Sequence, residues 1–195
     1  MREFLVLSRK GITSPDFNFK DLPGFCGRID LLARCVNSAL WVSHGIRRDV
    51  VFHTILQGKP DPPKYIRFEG DKLKKVPPDE RGIALFIQKA LERYQEGKEI
   101  ESTPGIFVSK KSLQEVVKEN SDKEIYILHE KGIPINEVEI GENPFFILGD
   151  HIGLPKKDEK FCLRFGKKVS LGKKSYLASH CITIVNYLLD QRETE

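Results

Sequence analysis

The apolar positions of this chain follow two spacings. Compact runs with few polar interruptions occur at 2–8 (REFLVLS), 50–56 (VVFHTIL), 124–130 (EIYILHE) and 145–150 (FFILGD). Runs of this length without strict alternation predict strands buried on both faces, as in a parallel sheet covered by helices. Elsewhere the apolar residues recur at helical spacing. Ile29, Leu32, Val36, Ala39 and Leu40 share one face of a helix predicted from about Arg28 to Ser43. Pro77-Pro78-Asp79 opens a second helix, to about Gln95 and closed by Gly97. Ser112-x-x-Glu115 is a capping box that starts a third, to about Asn120, and a terminal helix spans Ser175–Gln191. KYIRFEG and KLKKV, on either side of Gly70-Asp71, read as a hairpin, and CLRFG (162–166) as a further strand. Strands separated by helices predict an α/β sandwich with a mostly parallel sheet. One domain over 1–195 is the simplest division, with 59–78 as an excursion near its edge.

Composition narrows the class. At 195 residues and 39% hydrophobic content the chain can bury a sizeable core. No apolar run approaches the ~18 residues of a membrane span, and Met1-Arg2-Glu3 runs directly into FLVL with no signal-peptide pattern, so a cytoplasmic protein away from membranes is expected. Cys26, Cys35, Cys162 and Cys181 form no CxxC pair and read as reduced core thiols. The five histidines have no cysteine or carboxylate partners at ligand spacing, so no metal is expected. Net charge is +4, but its distribution matters more. Lys156 to Lys174 holds eight Lys/Arg against two acids, and Arg28, Arg34, Arg47 and Arg48 form a second group. Such patches concentrate polyanions.

No GxGxxG follows the first strand and no GxxxxGK[ST] occurs, so dinucleotide and nucleoside-triphosphate sites are not supported. Three strand-end segments are left: Leu128-His129-Glu130-Lys131-Gly132, Gly149 to Leu154, and Leu171 to Leu177. Glycine at such ends lets main-chain groups approach a ligand, and strand-end crevices are the usual ligand site of open α/β sheets. On the residues alone, ordinary turns at the end of a buried sheet stand as the alternative. Likewise Asp30, in the first turn of the first predicted helix, reads by position as a capping residue beside a solvated Arg28.

The segments PFFILGDHIGLP (144–155) and VSLGKKSYLASHCITIVNYLLD (169–190) resemble the carboxyl-terminal region of the SPOUT superfamily of RNA methyltransferases. GRIDLLARCVNSALWVSHGIRRDVVFHT (27–54) and PPDERG (77–82) are similar to the archaeal tRNA pseudouridine-54 N1-methyltransferase family. That family shares an Arg-x-Asp element, here Arg28-Ile29-Asp30, with the ribosomal-RNA pseudouridine N1-methyltransferases. The resemblance implies a deep carboxyl-terminal trefoil knot, with 125–190 as the knot and cofactor region, and S-adenosylmethionine as methyl donor. It places Leu128, Gly149, Leu171, Gly172, Ser175, Tyr176, Leu177 and Cys181 around that donor. Asp30 is implied beside the nitrogen that receives the methyl group, accepting its proton or orienting it. Arg28, Arg47 and Arg81 become contacts to tRNA, with Asp79 holding Arg81, and Ser43-His44 stands close to the RNA or simply at the surface. A homodimer through the knot follows from the superfamily.

Adjacent helical residues diverge, so His180-Cys181 is not a nucleophile pair; Asp150-His151 reads as loop polarity rather than a catalytic dyad. Two other functions stay open at this level: N1-methylation of a pseudouridine in ribosomal RNA, and a non-catalytic RNA-binding protein lacking a cofactor pocket.

Overall fold

The computed structural model describes residues 1–192. In chain order the elements are β1 (Arg2–Ser8), α1 (Ile29–Leu40), β2 (Trp41–Val42), β3 (Gly45–Ile46), β4 (Val50–Leu56), β5 (Lys64–Glu69), α2 (Glu80–Arg93), β6 (Ile100–Thr103), β7 (Ile106–Ser109), α3 (Leu113–Glu119), β8 (Glu124–Pro134), β9 (Pro144–Gly149), α4 (Lys156–Cys162), β10 (Gly166–Ser170) and α5 (Ala178–Arg192). Eight strands form one sheet in the order β10-β8-β9-β1-β4-β5-β7-β6. The β10-β8, β8-β9, β9-β1 and β1-β4 pairings are parallel, and β4-β5, β5-β7 and β7-β6 are antiparallel.

The uninterrupted apolar runs acquire their reason here. Along β1, Phe4 and Val6 enter one core layer, while Leu5 and Leu7 enter the other. β9 repeats the division, with Phe146 and Leu148 on one side and Phe145 and Ile147 on the other. Helices α1, α2 and α5 cover the first face, and α3 with Cys162 at the end of α4 covers the second. A strand covered on both faces has no position at which water rewards a polar residue. The terminal helix is fastened to the first: Asn186 Nδ2 donates to the carbonyls of Ser38 and Ala39 at 3.1 and 3.2 Å. Those are last-turn carbonyls of α1, which lack partners within their own helix.

Three expectations are corrected. α1 ends at Leu40, because Trp41 turns extended (φ −90°, ψ 139°) and starts a two-residue ribbon with Gly45-Ile46. Lys64–Glu69 pairs with β4 and β7 inside the sheet rather than with KLKKV, so the predicted hairpin at Gly70-Asp71 does not form. CLRFG is not a strand: Cys162 closes α4, and the edge strand starts at Gly166. α4 is seven residues long and highly charged, too short for a periodic signal, while Asp158 and Glu159 suit the positive end of its dipole. β6 and β7, around Pro104-Gly105, were not predicted at all. The capping box at Ser112 and Glu115 is present as expected, closed in both directions.

Candidate active site

The carboxyl ends of β8, β9 and β10 open on one cleft of about 680 Å³. Each of its three walls has a local cause. At the end of β9, a Cβ on Gly149 would lie 2.4 Å from both Gly153 C and Leu154 N, so only glycine lets the following loop fold back this tightly. Asp150 then fixes that loop. Its carboxylate accepts the N–H of Arg9 at 2.8 Å and of Ile152 at 2.9 Å, joining the loop to the chain that leaves β1. This is the loop-polarity role expected for Asp150.

On β8 the pairing with β10 jumps: Lys168 faces Ile127, but Val169 faces Ile133. Residues 128–132 are thereby released as a bulge, which sends Leu128, His129 and Glu130 to the cleft. Gly132 restores the pairing, where a Cβ would stand 2.4 Å from the Val169 carbonyl carbon. The third wall leaves β10 through Ser170, whose hydroxyl accepts the Gly172 N–H at 3.0 Å and lies 3.1 Å from the Glu130 carbonyl. One hydroxyl thus ties the second and third walls together. All eight residues singled out from the sequence (Leu128, Gly149, Leu171, Gly172, Ser175, Tyr176, Leu177 and Cys181) line this cleft.

Arg28 lines it as well, and its guanidinium links the cleft to the buried Asp30 behind it. Arg28 precedes α1 in a left-handed conformation (φ 70°, ψ 35°), which costs a non-glycine residue about 1–2 kcal/mol. The strained turn aims the guanidinium at Asp30: Nε donates to Oδ1 at 3.0 Å and Nη2 to Oδ2 at 3.2 Å. Arg34, one turn further along α1, donates to Oδ2 at 2.9 Å and also to Glu80 at 3.3 Å. Burial, the largest influence, pushes the Asp30 carboxyl upward. The hydrogen bonds and charges of Arg28 and Arg34 outweigh it and hold the group below the usual carboxylate range. Asp30 is therefore an anion clamped by two cations, a firm hydrogen-bond acceptor and a weak base.

The remaining predicted residues separate. Arg81 is exposed on the first turn of α2, next to Glu80, with its guanidinium 5.9 Å from the Phe19 ring centre. Asp79 does not hold it; the Asp79 carboxylate caps α2 by accepting the Gly82 N–H at 2.8 Å. Arg47 is not brought to the cleft. It precedes β4, at the opposite end of the sheet, and grips Asp190 of α5 at 2.8 and 2.6 Å. Seven-residue strands put about 20 Å between those two ends. His44 is exposed in the turn between β2 and β3. Burial raises the Cys181 thiol, which leaves it neutral against the cleft wall rather than nucleophilic. Among the described residues no cluster of three or more His, Cys, Asp or Glu could hold a metal.

Arg34 and Ser170 escaped the sequence reading as parts of the site. Only the spacing of Arg34 four residues after Asp30 carried any signal, since that spacing makes helical neighbours.

Comparison with known proteins sets this geometry in context. The family described as "Putative SAM-dependent RNA methyltransferase" matches residues 1–194. A tRNA (pseudouridine(54)-N(1))-methyltransferase of Methanocaldococcus jannaschii is 49% identical over 98% of both chains. Its namesake from Thermococcus kodakarensis is 50% identical over 97% of this chain and 99% of its own. Among solved structures, Archaeoglobus fulgidus Nep1 bound to S-adenosylhomocysteine superposes with a TM-score of 0.63 at 16% identity, covering 100% of this chain and 98% of that one, a likeness of fold. With one match running end to end and relatives at about half identity throughout, the chain belongs to this family of S-adenosylmethionine-dependent RNA methyltransferases.

Proposed function

We propose that the protein transfers a methyl group from S-adenosylmethionine to N1 of pseudouridine at position 54, in the T-loop of tRNA. The observation that carries the reading is the half-identity, over nearly the full length, to enzymes named for that reaction. It is supported by Asp30 standing, anionic and oriented, beside a cleft of cofactor size.

The cleft suits the methyl donor. Leu128, Leu148, Leu154, Leu171 and Leu177 offer apolar walls, and the close turn at Gly149 exposes main chain. Glu130 and Glu159 supply acceptors for hydroxyl and ammonium groups, while the neutral Cys181 adds none of the charge that would compete with them. Bound there, S-adenosylmethionine supplies an electrophilic methyl group on a sulfonium.

The chain's own residues act on the RNA. Asp30 accepts a hydrogen bond from the N1–H of the target base and orients that ring nitrogen, and as N1 takes the methyl group its proton departs along this hydrogen bond. Because two arginines hold its pKa down, its contribution is orientation more than proton abstraction. Arg28 keeps Asp30 in place and adds positive charge at the rim; Arg81, on the neighbouring α2, faces solvent where phosphate can reach it. A base in a folded T-loop must leave its stack to reach this depth.

The same reading makes 1–195 one SPOUT domain with a deep trefoil knot over 125–190. Supporting this, β10 lies at the outer edge beyond β8, yet α5 after it packs on α1; the chain between crosses the ends of β8 and β9. It also makes the protein a homodimer through that region, which suits Tyr176, Leu177 and Tyr187, apolar residues 44%, 56% and 61% exposed. It places the enzyme with its tRNA, in the cytoplasm.

The test is mass mapping of RNA after incubation with the methyl donor, using tRNA with pseudouridine or uridine at position 54 and ribosomal RNA as a further substrate. A single methyl on pseudouridine 54 alone is expected. Methylation of the uridine transcript, or of ribosomal RNA instead, refutes the proposal.

A further inference from the structure

Of the large apolar side chains, Phe25 is among the most exposed at 57%, and it sits five residues before Asp30. Its neighbours Phe17 and Phe19 pack against the main core, whereas Phe25 faces outward. Exposing a large ring forgoes the stabilisation that burial would give it. The backbone that carries the ring is held in place. The Asp21 carboxylate accepts the N–H of Gly24 at 2.9 Å and of Phe25 itself at 3.0 Å. On the other side Cys26 is fully buried, its sulfur 3.3 Å from the Asn18 N–H.

The two residues that follow, Gly27 and Arg28, are both left-handed, with φ of 63° and 70°. A Cβ on Gly27 would fall 1.9 Å from the Lys10 carbonyl oxygen, so the turn is pressed directly against the segment leaving β1. Arg28 N–H closes it by donating to the Pro23 carbonyl at 3.1 Å. Phe25 is therefore mounted on a rigid turn whose last residue is the arginine that holds Asp30 and lines the cleft. Five residues reach at most about 18 Å fully extended, and these are wound into a turn. That is within the span of one or two nucleotides from a base bound at Asp30. The surrounding charge is suited to the same partner: Lys20 is exposed nearby in sequence, and Arg28 and Arg81 flank the corner.

We propose that Phe25 is a stacking platform for an unpaired nucleobase of the substrate RNA, next to the nucleotide held at Asp30. An aromatic face accepts any base, and a preformed turn holds it at little entropic cost, so the ring supplies affinity and register while the cleft supplies the chemistry. Phe25 is thus a positioning residue, and this role rests on the RNA methyltransferase reading above.

The test compares wild type with Phe25→Ala, Phe25→Leu and Phe25→Trp in the full chain. Stacking strengths predict an RNA KM about 5- to 150-fold higher for Phe25→Ala, with kcat within about twofold and S-adenosylhomocysteine affinity unchanged. Phe25→Trp is expected to retain binding, and Phe25→Leu to behave like Phe25→Ala, since a leucine keeps apolar contact but cannot stack. RNA carrying 2-aminopurine beside the target nucleotide adds a direct signal: its fluorescence is quenched on binding wild type and recovers with Phe25→Ala. An RNA KM unaltered in Phe25→Ala, a Leu variant equal to wild type, or fluorescence indifferent to the ring each overturns the proposal. Loss of self-association in Phe25→Ala, seen by sedimentation, would assign the ring to a contact between copies and overturn it too. If wild type itself methylates no RNA, the failure lies with the enzymatic reading and not with Phe25.

Discussion

Replacing Asp30 by asparagine tests the chemistry most directly, because the change keeps the shape of the group and removes its charge. In the native site the carboxylate receives three hydrogen bonds, two from Arg28 and one from Arg34, at 2.9–3.2 Å. It is nearly buried, with its side chain 8% exposed. An asparagine can accept on one atom only, and its amide nitrogen would face a guanidinium donor. The hydrogen bond to the N1–H of the target base then loses its charge, worth about 1.5–3 kcal/mol, or about 10- to 150-fold in kcat. Full general-base catalysis by this residue would instead make the loss about 10²- to 10⁴-fold. Arg34→Met separates the two roles. Removing that cation lets burial raise the Asp30 pKa, making it a better base and a worse-oriented one. We expect kcat to fall in Arg34→Met at saturating RNA, while S-adenosylhomocysteine binds normally by calorimetry. Faster turnover in Arg34→Met would refute the orientation role, and near-normal turnover in Asp30→Asn would remove Asp30 from the reaction altogether.

Gly149→Val should abolish measurable S-adenosylhomocysteine binding, since its Cβ collides at 2.4 Å with loop backbone that cannot swing aside; calorimetry showing native affinity would mean the loop does not form the cleft. Gly132→Ala meets the Val169 backbone at the same distance and should cost about 1–3 kcal/mol, lowering Tm by roughly 2–12 °C together with cofactor affinity. Arg47→Ala should lower Tm, because Asp190 loses two short bonds, yet leave the RNA KM within about twofold; a large KM effect would restore Arg47 as an RNA contact. Acid sensitivity should come from the far side of the sheet, where burial pushes the His53 imidazole below its ordinary value despite its bond to Glu3 at 2.8 Å. A depressed folded pKa contributes stability that is full above the unfolded value and lost as pH falls through the folded one. Melting curves should therefore show Tm falling below about pH 6.5, with His53→Gln flattening that decline; a wild-type Tm constant from pH 7 to 5 would contradict it.

Much of this molecule is legible along the chain, for reasons that are local. The unbroken apolar run at 4–7 and five apolar residues of seven at 50–56 can be satisfied only where both faces are covered, so these segments announce strands in a sheet clothed by helices. The capping box at Ser112 is decided by two side chains and the backbone between them. The glycine segments that the SPOUT resemblance assigned to a methyl donor do meet at one cleft. What escaped is what depends on contacts distant in sequence. β6 and β7 are four residues each, and gain their definition from β5 beside them. α4 takes its shape from the surface it covers more than from its seven residues.

The division at the site follows the same line. Residue types and spacing determined that Arg28 and Asp30 would lie together and that glycine loops would end the strands. Tertiary structure alone decided that Glu80 anchors the Arg34 that clamps Asp30, that the β8 bulge turns Glu130 toward the cleft, and that Asp190 takes Arg47 out of it. The physical reason is that a side chain's charge is a property of its own residue, whereas its pKa, direction and availability belong to whatever the rest of the fold packs against it.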